Sequence, residues 1–95
     1  MSNLIVVATI TAKEGQREVV RAALEAVVPP SRAESGCLRY ELHVDNTNAD
    51  HFVMLEEWTG AEALAAHEKT AHFRELVVAV VGKATLHIDK LTKLA

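Results

Sequence analysis

Cysteine is nearly absent from this chain. Cys37 stands alone, so no disulfide can close within it, and a reducing, cytoplasmic compartment is the expectation. Aromatic residues are scarce as well: one Trp, one Tyr and two Phe. Val, Ala and Leu must therefore fill most of the core. Lys and Arg are scattered without a basic block, and the formal charge is −3 at pH 7. Nucleic acid and anionic membrane surfaces are therefore not expected partners. No apolar run approaches the ~20 residues of a spanning helix, and the opening MSNLIVV lacks the basic segment of a secretory signal. There is no GxGxxG, P-loop or HExxH, and no CxxC or GxSxG. Flavin, nicotinamide and tightly held zinc each lack their usual signature, so neither a cofactor nor a metal is expected.

What is present fits one small domain spanning residues 1–95. A chain of this size buries only about 60–65% of the surface it exposes when unfolded. Nearly half of the residues are apolar, and self-association is one way to bury the excess.

Leu4 to Ala12 is rich in β-branched residues and reads as a strand. Its first half is apolar on both alternating faces, which predicts cover on both sides of the sheet. Lys13 to about Val28 carries an apolar stripe of Val20, Ala23, Leu24, Val27 and Val28 and reads as a helix. Pro29-Pro30 should interrupt it, Ser31 to Glu34 can cap a short continuation, and Gly36 suits the stop. Cys37 to Asp45 alternates, with Leu38, Tyr40, Leu42 and Val44 on one face. A polar turn leads into a return strand, His51 to Trp58. Thr59 to Glu62 is a capping-box pattern opening a helix to about Lys69. Thr70 should cap a second piece, Ala71 to Val81, which Gly82 ends. The last strand, Ala84 to Leu94, shifts its apolar phase between Ile88 and Leu91, which points to a bulge. The order is β-α-β-β-α-β, the ferredoxin-like α+β plan with an antiparallel sheet. One sheet face is bare in a single copy, and a second copy is the simplest cover.

Candidate chemistry gathers between Phe52 and Phe73. His67 and His72 can exchange protons near neutrality. Five residues apart, they sit ~140° apart on one continuous helix, so they are not the i, i+4 pair of a metal site. A break at Thr70 would turn both towards one cavity. Either residue could instead be an exposed or capping histidine. Glu56 shares a strand face with Phe52, Met54 and Trp58. A carboxylate there must be paired or have a raised pKa, unless the face meets solvent and Glu57 is the more buried neighbour. Trp58, Tyr40, Phe52 and Phe73 can line a flat pocket or simply build the core. Arg39, Glu41 and His43 mark a wet face or a dimer seam. His51 and His87 receive no role, and Cys37 reads as a small core residue.

The element order, the segment ESGCLRYELHVDNTNADHFVMLEEW and the following ALAAHEKTAHF resemble the antibiotic biosynthesis monooxygenase domain, in particular its small quinol-monooxygenase-like members. Glu34-Ser-Gly-Cys37, Glu56-x-Trp58, and His67 with Thr70-Ala-His-Phe73 carry the likeness. The resemblance implies a dimeric α/β-barrel, a homodimer whose sheets pack face to face, with one pocket per subunit between sheet and helices. It implies a cofactor-independent oxygenase acting on a small aromatic substrate, a quinol or phenol, with dioxygen. Its pocket would hold Glu56, Trp58, His67, His72 and Phe73, with Tyr40 and Phe52 nearby. In that reading His67 or His72 is the base, Glu56 orients the hydroxyl, and the aromatics hold the ring. Haem-degrading relatives use an Asn on the first strand, where this chain has Val6-Val7-Ala8. Relatives that isomerise a phosphorylated metabolite need pocket cations, for which Lys69 and Arg74 are the candidates. A protein that binds an aromatic ligand without turnover is the third reading.

Overall fold

The computed structural model describes residues 3–95, so the first two residues of MSNLIVV lie outside the described residues. Its elements are β1 (Leu4–Ala12), α1 (Arg17–Arg32), β2 (Cys37–Val44), β3 (His51–Trp58), α2 (Ala61–His67), α3 (Ala71–Val80) and β4 (Ala84–Leu91). The sheet order is β2-β3-β1-β4, and every neighbouring pair is antiparallel. This is the expected ferredoxin-like arrangement with its second helical crossover split in two.

Alternation along β1 and β3 selects the inner face. Val6, Ala8, Ile10 and Ala12 are buried beside Phe52, Met54, Glu56 and Trp58. The α1 stripe of Val20, Leu24 and Val27 packs into the same core. On the outer face, Ile5, Val7 and Leu55 are only half-buried and Leu91 is exposed. No described segment covers that side, so the two-sided cover expected around β1 is absent from the single chain.

Four local expectations are corrected. First, α1 begins at Arg17 and runs through Pro29 and Pro30 to Arg32. The prolines forfeit two helix N–H donors, yet the extra turn buries Ser31 completely and lets Arg32 Nε donate to the Tyr40 carbonyl at 3.0 Å. Tertiary packing outweighs the local break. Second, the pairing of β2 with β3 slips between Cys37 and Arg39. Cys37 opposes Trp58 on the inner side, and Leu38 is left half exposed rather than in phase with Tyr40. Third, α2 has Gly60 at its N-cap with no side-chain cap, so the Thr59–Glu62 box does not form. Fourth, β4 pairs with β1 without a bulge from Ala84 to Leu91. Its apolar phase changes because Ile88 faces inwards opposite Ala8 while Leu91 faces outwards opposite Ile5.

Candidate active site

The turn between α2 and α3 builds the site. The Thr70 hydroxyl donates to the His67 carbonyl at 2.7 Å and accepts the Phe73 N–H at 3.2 Å. It therefore closes one helix and caps the next. This break cancels the ~140° separation that a continuous helix would impose. His67 Nδ1 and His72 Nε2 both meet the same oxygen, Oε2 of Glu34, at 2.6 and 2.7 Å.

Glu34 reaches them because the loop after α1 lies directly on α2. At Gly36, an added Cβ would stand 2.4 Å from the Ala63 Cβ. The Gly36 carbonyl also accepts the Thr59 N–H at 2.9 Å. Glu34 is the site residue that reading the individual residues missed, since it reads as a helix cap. Its place in the Glu34-Ser-Gly-Cys37 signature was the available signal.

His67 is 1% exposed and enclosed by rings. Its centroid lies 4.6 Å from Trp58, 5.1 Å from Phe73, 5.4 Å from Tyr40 and 5.9 Å from His72. Its Nε2 is buried without a hydrogen-bond partner. Next to this cluster, a cavity of about 100 Å³ opens between the inner sheet face and α3. Tyr40, Met54, Glu56, Phe73, Val77 and Leu86 are among its walls. The structure thus places Tyr40, Glu56 and Phe73 on the cavity, and Trp58, His67 and His72 in the adjoining cluster. His72 faces a separate groove between α1 and α3, with Ala23, Ala26 and Glu75. Phe52, opposite Ile10, belongs to the core. Lys69 and Arg74 are exposed and line no part of the cavity.

Glu56 is 6% exposed and meets neither a histidine nor an arginine. Its Oε1 accepts the Trp58 Nε1–H at 2.9 Å. Burial pushes its carboxyl up from 4.5 to about 7, the Trp58 bond pulls it back, and the Glu68 and Glu34 carboxylates push it further up. The Tyr40 phenol is driven well above its ordinary value by burial and then by Glu56, with Ser31 pulling it back. The Ser31 hydroxyl, although beside Tyr40, has no hydrogen bond of standard geometry. The Cys37 thiol is raised by burial, then by Glu34 and Glu56, and so is a poor nucleophile. Together these groups make a small, mainly apolar recess of about 100 Å³ with one carboxyl raised to about 7. The Glu34, His67 and His72 ligand atoms, all within 4.8 Å of one another, are the described group able to hold a metal.

Residues 3–79 match the family described as antibiotic biosynthesis monooxygenase. The Synechocystis protein sll1783 is 32% identical over 74 residues, which is 78% of this chain and 50% of that protein. This chain thus spans about half the length of that relative. YcnE of Bacillus subtilis is 35% identical over 74 residues, 78% of each chain. The crystal structure of PA3566 from Pseudomonas aeruginosa superposes with a TM-score of 0.96 at 40% identity, covering 100% of this chain and 97% of that one. Sequence match and fold agree over nearly the whole length, and the chain belongs to the antibiotic biosynthesis monooxygenase family.

Proposed function

We propose that the protein is a cofactor-independent monooxygenase that oxidises a small hydroquinone or related polyphenol with dioxygen. The observation that carries this reading is Glu56, a buried carboxyl raised to about 7 on the wall of an otherwise apolar cavity. A base poised near neutrality accepts a phenolic proton efficiently. Trp58 engages Oε1, which leaves Oε2 for the substrate hydroxyl. Glu56 takes this role in place of His67 or His72 because neither histidine lines the cavity. Tyr40 and Phe73 contact the ring, and the His67 cluster stiffens the wall behind them.

Deprotonation makes the ring an electron donor able to reduce triplet dioxygen by one electron. Recombination of the resulting radicals forms a ring hydroperoxide. Loss of water leaves a hydroxyquinone: one oxygen atom enters the ring, the other leaves as water, and the ring supplies all four electrons. The apolar walls hold the ring and keep bulk water out. The cavity is smaller than the ~150 Å³ void that accepts benzene. Ring entry therefore moves α3, which has no fully buried residue.

The same reading has the protein working as a homodimer paired through the outer sheet face. The half-buried Ile5, Val7 and Leu55 and the exposed Leu91 form the apolar surface that such pairing would cover. The isomerase reading loses support because no Lys or Arg lines the cavity.

The test is oxygen uptake with a panel of hydroquinones and naphthohydroquinones, using wild type and Glu56→Gln against the enzyme-free autoxidation rate. Uptake above background that falls in a folded Glu56→Gln variant supports the proposal. Uptake no faster than autoxidation across the panel, or unchanged by the substitution, overturns it.

A further inference from the structure

We infer that Glu34, His67 and His72 form a binding site for a divalent first-row transition ion, separate from the ring cavity. The three side chains come from three places: the loop after α1, the last residue of α2 and the first turn of α3. They nevertheless converge until Glu34 Oε2 stands 2.6 Å from His67 Nδ1 and 2.7 Å from His72 Nε2. Two imidazoles and one carboxylate are a donor set that zinc-type and iron-type ions favour.

The dimensions suit such an ion after a small movement. Ligand bonds of about 2.0–2.2 Å in tetrahedral directions place donor atoms about 3.4 Å apart. The carboxylate must therefore back away from the two nitrogens by somewhat under 1 Å. The Glu34 and His72 side chains are partly exposed and can make that adjustment, whereas His67 is a buried, fixed anchor. The exposed edge leaves room for water as a further ligand.

Charge points the same way. Among the described residues Glu34 has no Lys or Arg partner, only the two imidazoles. Ligation through His67 Nδ1 moves that ring's proton to Nε2, which is buried without a partner, a cost that the ion–nitrogen bond must offset. None of the three ligands lines the ring cavity, so metal binding does not depend on the proposed oxygenase reaction.

The probe is Co²⁺, titrated into the full chain after dialysis against a chelator, with visible d–d absorption as the readout. The expected result is a saturable one-to-one complex that Zn²⁺ displaces and that tightens with rising pH. His72→Ala and Glu34→Gln should each weaken it by roughly tenfold or more. His87→Ala, on an exposed histidine paired with Asp89, should leave it unchanged. Circular dichroism confirms folding, and the partly exposed His72 gives the decisive variant where Glu34→Gln does not fold. No saturable complex, or equal binding by wild type and folded His72→Ala, overturns the site and leaves the cluster as hydrogen bonds alone.

Discussion

The Trp58 indole donates to the Glu56 carboxylate at 2.9 Å from two residues further along the same strand face. Residues i and i+2 of a strand point to one side, so Trp58, completely buried, both seals the sheet end and holds the one carboxyl on the cavity wall. Several measurements test what this arrangement implies.

Folding stability should carry the signature of Glu56. Its carboxyl titrates at 4.5 ordinarily and at about 7 in the fold. Between those values the folded chain keeps a proton that the unfolded chain has lost. The Glu56 contribution is therefore most favourable below 4.5 and is lost as pH rises through about 7, a fall on the order of 3 kcal/mol. Glu56→Gln removes that slope. Urea denaturation at mildly acidic and mildly alkaline pH should show the variant gaining on wild type at the alkaline value. Parallel pH profiles for the two would refute the buried, proton-holding carboxyl.

Trp58→Phe deletes the N–H that draws the Glu56 carboxyl downwards. The carboxyl should then titrate above about 7, which carbon-detected NMR of labelled glutamate reads directly. The acidic limb of any oxygen-uptake profile should move in the same direction. The variant should also lose about 2 kcal/mol of stability from the missing bond and the space left behind. An unmoved Glu56 titration would mean that the hydrogen bond has no influence on it.

Gly36→Ala should destabilise the fold by ~1–3 kcal/mol, because its methyl meets Ala63 at 2.4 Å. Pairing it with Ala63→Gly relieves the overlap and should recover part of the loss, less the helix cost of the new glycine. Thermal melts of the single and double variants check this. A double variant no better than the sum of the singles would contradict the contact.

Thr70→Ala removes both the α3 cap and the bond to the His67 carbonyl. A loss of ~1 kcal/mol is expected from the cap alone. Faster amide exchange should appear at Phe73 and Arg74 while the sheet keeps its protection. Exchange spread evenly over the chain would assign Thr70 no local role.

Much of the fold was legible along the chain because it rests on period and punctuation. The β-branched run of Leu4 to Ala12, the helical stripe from Val20 to Val28, the Thr70 cap and the Gly82 stop are each local signals, and each reappears in the structure. That Glu56 and Trp58 share a face follows from strand parity in the same way, whereas its burial was decided by the packed structure. Local signals failed where a distant contact outweighed them. Burial of Ser31 and the Arg32 bond carry the helix through Pro29-Pro30. The slip between Cys37 and Arg39 arises in strand pairing, which alternation cannot register.

The sequence alone determined the element order and the family, because periodicity, caps and a characteristic set of short segments are written residue by residue. Only the tertiary structure decided which chemical groups meet. Glu34 lies 33 residues from His67 and 38 from His72, and no spacing rule links them. Their junction depends on a loop pressed against α2 at Gly36 and on the turn at Thr70. Likewise the raised Glu56 carboxyl is a property of burial, which exists only once the sheet and helices have closed around it.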